Sequence, residues 1–104
     1  MRKRRYEIHL PLKFNDGQPV GEELFYLTRE ELTAQFRAVS FQPNVIYGTW
    51  VHDGDRYEDE LARFVVDVED TPENLQFFIN LKKVLIERFK QIDIYIVSYP
   101  VDII

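Results

Sequence analysis

The sequence contains no cysteine. That removes disulfides, thiolate metal sites and cysteine nucleophiles from consideration, and it fits a reducing compartment, the cytoplasm. Glycine is scarce as well, with four residues scattered through 104, so neither a Gly-x-Gly-x-x-Gly turn nor a phosphate-cradling loop can be assembled. No apolar run approaches the ~20 residues of a membrane-spanning helix. The basic start MRKRRYEIHL lacks the apolar stretch of a secretion signal, because Glu7 and His9 interrupt it. An excess of positive charge is missing too. Eighteen acidic side chains stand against thirteen basic ones, for a net charge of −5, whereas nucleic-acid binders carry a basic face. The one basic cluster, Arg2-Lys3-Arg4-Arg5, reads as a solubilising tail over residues 1–5, which speaks against nucleic acid as a partner.

What is present is the composition of one globular domain over residues 1–104. Hydrophobic residues make up 45%, including eight Phe, six Tyr and Trp50. Alternation of Tyr6, Ile8, Leu10 and Leu12 with Glu7, His9 and Pro11 predicts a strand covered chiefly on one side. Asn15-Asp16-Gly17 begins a loop that runs to about Leu24. Thr28 and Glu31 have capping-box spacing, with Leu27 and Leu32 at the staple positions, and so predict a helix start. Leu32, Phe36 and Val39 form its stripe, and Ser40 and Pro43 close it. NVIYGTWVH, residues 44–52, predicts a second strand. A third runs from Tyr57 to Val68. Thr71 as N-cap and Pro72 at the first position open a second helix to about Lys90. Its apolar set is Leu75, Phe78, Ile79, Leu85, Ile86 and Phe89, widened by Phe77, Leu81 and Val84. Ile92 to Tyr99 forms the last strand, ended by Pro100. The order β-α-β-β-α-β predicts an α+β, ferredoxin-like fold: a four-stranded antiparallel sheet with two helices on one face.

The stretch VHDGDRYEDE, residues 51–60, is the one local constellation that looks like chemistry. An EF-hand calcium loop counted from Asp53 needs glycine at the sixth position and glutamate at the twelfth, and finds Glu58 and Phe64. Along a strand Glu58 and Glu60 share one side while Asp59 takes the other. Asp53-Gly54 is a type I′ hairpin signal. The stretch therefore reads as a charged hairpin tip, and no metal ligands or cofactor are assigned. Ser40 and Ser98 lack any nucleophile context, so no catalytic residue is assigned either. An RNA-recognition module shares the strand order, but ELARFVVDV in the third strand lacks its basic-Gly-aromatic signature.

The helices leave one sheet face uncovered. By alternation it carries His9, Leu61, Arg63, Val65, Tyr95, Val97 and Tyr99, with Trp50 and Tyr57 joining if the hairpin keeps an even count. A contiguous apolar and aromatic face marks a binding surface, and a second copy of the chain is the expected partner. Trp50 over the gap at Gly48 reads as packing. A small molecule between sheets is the alternative, with His9, Tyr47, Trp50, Arg63 and Tyr95 as candidate ligand-lining residues.

Tyr47-Gly48-Thr49-Trp50, the turn after it and Arg88-Phe89-Lys90-Gln91 resemble a bacterial family of small α+β proteins without an assigned reaction. Its members have a Tyr-Gly-x-Trp strand, a polar hairpin and a helix ending in Arg-Phe-x-Gln. The resemblance spans residues 6–98 and implies a ferredoxin-like fold. More distantly, the architecture is similar to dimeric α/β-barrel proteins, in which two sheets enclose a cavity. Some of those are cofactor-free monooxygenases or haem-degrading enzymes and others are not enzymes, so the likeness implies no reaction. The expectation is a dimeric cytoplasmic binding or assembly module rather than an enzyme.

Overall fold

A computed structural model describes residues 2–104, apart from the side chains of Asn44 and Val45. Met1 of the expected tail and those two side chains of the expected second strand lie outside the described residues. The elements are β1 (Lys3–Pro11), α1 (Glu22–Phe36), β2 (Ser40–His52), β3 (Asp55–Glu69), α2 (Pro72–Phe89) and β4 (Tyr95–Val101). The sheet order is β2-β3-β1-β4, every neighbour antiparallel. This is an α+β fold of the ferredoxin-like type. Lys13 also bridges Pro19 antiparallel inside the β1–α1 loop, a pairing that the four-strand expectation leaves out.

Alternation decides which side of the sheet is filled. Tyr6, Ile8 and Leu10 of β1 and Phe64, Val66 and Val68 of β3 cluster with Leu32 of α1 and with Phe78, Leu81, Leu85 and Phe89 of α2. Both helices therefore pack on one face. Tyr6 stacks on Phe78 with centroids 3.8 Å apart, and Phe36 stacks on Phe78 at 5.3 Å. α2 begins as expected: Thr71 accepts a hydrogen bond from the Asn74 N–H at 3.1 Å, and Pro72 follows it. Its expected apolar arc is wider than the buried one. Leu75, Ile79 and Val84 are exposed. Leu75 and Ile79 border a groove above edge strand β4, with Ile96 and Ser98 across from them.

Several boundaries differ from expectation. β4 begins at Tyr95 rather than Ile92, β3 at Asp55 rather than Tyr57, and α1 ends at Phe36, short of Val39. α1 starts at Glu22 after Gly21, so Thr28 is no cap. It lies inside the helix, fully buried, where its hydroxyl donates to the Leu24 carbonyl at 2.8 Å and accepts from Arg88 Nη1 at 2.9 Å. Leu24, Phe25, Thr28, Leu32 and Phe36 make one helical stripe, and the Thr28–Glu31 spacing is coincidental. β2 begins at Ser40 and runs through Pro43, with a register irregularity between Gln42 and Ile46. β4 contains Pro100 rather than ending before it. Both prolines sit on the two edge strands, where a missing ladder donor is tolerated. Finally, Lys3, Arg4 and Arg5 belong to β1 rather than to a tail. Arg4 Nε pairs with Asp70 at 3.0 Å and Arg5 Nε with Asp67 at 2.8 Å.

Truncation at the centre of this core should outweigh loss of the helix cap. Leu85→Ala is expected to lower unfolding free energy by about 2–5 kcal/mol and Thr71→Ala by about 0.5–2 kcal/mol. Urea unfolding measures both, and a smaller loss at Leu85 than at Thr71 would contradict the packing described.

Candidate functional site

The face turned away from the helices is fixed by register. His9 lies between Arg63 of β3 and Tyr95 of β4; Glu7 lies between Val65 and Val97; Arg5 lies between Asp67 and Tyr99. Across β2 and β3, Gln42 opposes Arg63, Ile46 opposes Leu61, Gly48 opposes Asp59 and Trp50 opposes Tyr57. The hairpin closes on Asp53 (φ 51°) and Gly54 (φ 82°), the two positive φ values of a type I′ turn. With two turn residues the parity is even, so Trp50 and Tyr57 do share this face.

The face has two unlike halves. One is polar. The Tyr99 hydroxyl donates to Glu7 Oε2, Arg63 Nη1 donates to Glu7 Oε1 at 3.2 Å, and Arg63 Nε donates to Gln42 Oε1 at 2.6 Å. This chain of hydrogen bonds crosses all four strands, β4-β1-β3-β2. Arg5 holds Asp67 beside it in a two-pronged pair at 2.8 and 3.0 Å. The expected greasy surface is thus only half present, because Arg63, Glu7 and their partners satisfy one another in its middle. Glu7 is held below the ordinary carboxylate range, first by the Tyr99 hydrogen bond and then by Arg63, against the opposing effect of burial.

The other half is aromatic. His9 and Tyr95 meet edge to face at 5.2 Å, and Trp50 stacks on Tyr57 at 4.6 Å. Between these pairs lies a cavity of about 380 Å³, lined by the three rings of His9, Trp50 and Tyr95, by Leu61 and Ile94 and by the carboxylates of Asp59 and Asp93, among others. Trp50 Nε1 donates to Asp59 Oδ2 at 2.9 Å. Gly48 leaves room here, since a Cβ would stand 3.2 Å from Leu61 Cδ1. His9 Nε2 is buried without a hydrogen-bond partner, 3.8 Å from Glu7 Oε1. Burial pushes the imidazole pKa down; the Glu7 carboxylate opposes this and Arg63 adds to it.

Of the five expected ligand-lining residues, His9, Trp50 and Tyr95 come together at this cavity. Arg63 does not line it; its guanidinium is turned to Glu7 and Gln42 on the polar half. Tyr47 does not either. It pairs with Glu60 and so points to the other side of the hairpin, where it is 85% exposed beside a separate cleft shared with Lys13 and Phe14. Sequence reasoning missed Asp59 and Asp93. Asp59 was within reach of it: a two-residue turn at Asp53-Gly54 sets position 59 against Gly48, one diagonal step from Trp50. Asp93 was within reach as well, since it alternates with Ile92 and Ile94 on the same side as Tyr95; what the sequence does not show is that it borders the cavity. At the hairpin tip Arg56 pairs with Glu58 at 3.1 Å, and among the described residues no three His, Cys, Asp or Glu side chains group to hold a metal.

No family model matches the chain, and no curated protein sequence matches it, so the resemblance seen in Tyr47–Trp50 and Arg88–Gln91 has no sequence-level support. Solved structures do match. The divalent cation tolerance protein CutA1 of Thermus thermophilus superposes with a TM-score of 0.58 at 17% identity, over 97% of this chain and 85% of that one. CutA1 of Oryza sativa superposes with a TM-score of 0.64 at 12% identity, over 98% and 82%. At these identities the likeness establishes the fold alone.

The geometry predicts acid lability in two windows. Because His9 is held below its ordinary value of 6.5, the unfolded chain binds more protons than the folded one below that pH, and stability falls as pH drops. The melting temperature should decline as pH falls below about 6.5. His9→Gln should flatten that decline, leaving the loss that begins below 4.5, where Glu7 is protonated in the unfolded chain first. An unchanged slope in the variant would remove His9 from the account.

Proposed function

We propose that this chain is a small binding or assembly module that joins a second copy of itself through the open sheet face. The observation carrying this reading is that register gathers Trp50, Tyr57, Val65, Tyr95, Val97 and Tyr99 on one side of the sheet while both helices occupy the other. Burial of such surface contributes ~25 cal/mol per Å² before the costs of association. The sheet edges are less suited to pairing. Pro43 and Pro100 lie within β2 and β4, and proline on an edge strand opposes edge-to-edge extension. Absence of cysteine supports a cytoplasmic setting, and no described helix is long and apolar enough to cross a membrane.

An enzyme is the second reading, favoured by a cavity above the ~300 Å³ at which ligand clefts begin. It ranks lower because the strongest acid-base candidates are engaged with one another. Glu7 is held by Tyr99 and Arg63, and neither Glu7 nor Arg63 lines the cavity. Binding of nucleic acid through the N-terminal arginines ranks lower still, since Arg4 and Arg5 are paired with Asp70 and Asp67. The words "divalent cation tolerance" describe the Thermus protein; a likeness of fold gives no ground for moving them to this chain.

Light scattering at micromolar concentration should report twice the 12.5 kDa of one chain. Val97→Arg, near the middle of edge strand β4 on this face, should return the mass to a single chain with an unchanged circular dichroism spectrum. A parent protein that stays at one chain mass would overturn the proposal.

A further inference from the structure

The cavity between Trp50 and Tyr95 has a lining of one electrostatic kind. Its acidic and basic members are Asp59, Asp93 and His9, with the Tyr95 phenol beside them, and neither lysine nor arginine is among the lining residues. Burial disfavours the charged imidazole, so near neutral pH the two carboxylates decide the sign. They are not equivalent. Asp93 Oδ1 meets Lys82 Nζ at 3.1 Å and accepts from the Ile94 N–H at 2.9 Å, which offsets its charge. Asp59 has the neutral indole N–H of Trp50 as its partner, so its charge is positioned but not neutralised. An indole, a phenol and an imidazole ring stand around it, with Leu61, Ile46 and Pro11 supplying apolar wall.

Aromatic faces attract cations through their quadrupole, most strongly at tryptophan, and an uncompensated carboxylate attracts them by charge. The same carboxylate repels an anion, and the apolar wall favours a ligand with a hydrocarbon or aromatic body. A bare metal ion would meet too few oxygens, since hard cations take six or more. Gly48 keeps the floor open beneath Trp50, and a side chain there would press on Leu61.

We infer that this cavity is a binding site for a small organic cation, an amine with an apolar body, held by Asp59 and by the rings of Trp50 and Tyr95. Every lining residue comes from one chain, so the site does not require the self-association proposed above, although Trp50 and Tyr95 belong to both surfaces.

The test uses three probes of similar shape and different charge: benzylamine, benzyl alcohol and benzoate. Trp50 is the single tryptophan of the chain, so its fluorescence reports the site directly, and calorimetry supplies the affinity. Benzylamine is expected to shift Trp50 emission and to bind about tenfold more tightly than benzyl alcohol, with benzoate weakest. Asp59→Asn keeps an acceptor for the indole N–H and removes the charge; it should weaken benzylamine about tenfold and leave benzyl alcohol unchanged. Gly48→Ala should weaken both. Equal binding of all three probes, no binding of benzylamine, or an Asp59→Asn protein that binds benzylamine like the parent would each overturn the inference. Light scattering on the same samples separates the two proposals. A single-chain mass with benzylamine bound removes the dimer and keeps the site; a dimer mass without binding does the reverse.

Discussion

Every second side chain of β1 belongs to a different environment, and β1 is the strand that the rest of the sheet is hung upon. It lies between β3 and β4 and is paired along its length with both. Tyr6, Ile8 and Leu10 enter the core while Arg5, Glu7 and His9 turn away from it. A slip of one residue against either neighbour would exchange these sets. A carboxylate and a guanidinium would then enter an apolar core without partners, at a cost of several kcal/mol per ion. The register is therefore specified twice, by what must be buried and by what must not be.

The polar half of the open face follows from that constraint. Glu7 can accept from Tyr99 of β4 and Arg63 of β3 together because register sets each one diagonal step away, Tyr99 opposite Arg5 and Arg63 opposite His9. Arg63 then reaches Gln42 and ties in the outer strand β2. Isolated surface ion pairs contribute little, but a chain of bonds through four strands restrains each member's side chain by its neighbours and strengthens through mutual polarisation. Its effect is on order as much as on stability. It holds Arg63 away from the aromatic half and leaves the cavity there without a lysine or arginine.

Much of this is legible in the sequence, and the failures share a cause. Alternation of period two reveals β1, β3 and the composition of the open face, and Asp53-Gly54 reveals the turn and hence the parity of Trp50 and Tyr57. Thr71-Pro72 marks the start of α2. Where local punctuation is read without its tertiary setting, it misleads. Pro43 and Pro100 read as stops, yet on edge strands a proline deletes a donor that no neighbour requires. Thr28 and Glu31 match a capping box, although Thr28 falls on the buried stripe of a helix that starts at Glu22. Its partner, Arg88, is sixty residues away, beyond any local pattern. The removal of Arg63 from the cavity likewise depends on partners distant in sequence, Glu7 and Gln42.

Internal pairing also bears on what can cover the open face. A lone buried charge is expensive, whereas one already bonded within its own chain has much of its desolvation offset before a partner arrives. Arg5 with Asp67, and Arg63 with Glu7, bring their counter-charges with them. A second copy approaching by a two-fold axis presents the same patch and so need supply no complementary charge to the polar half, only surface that fits. The aromatic half lacks that self-sufficiency, because Asp59 carries a charge that its indole partner positions without neutralising. On the proposed self-association and cation site, closure of the face is uneven: the polar half brings its own counter-charges to an identical neighbour, and the aromatic half calls for a cation beside Asp59.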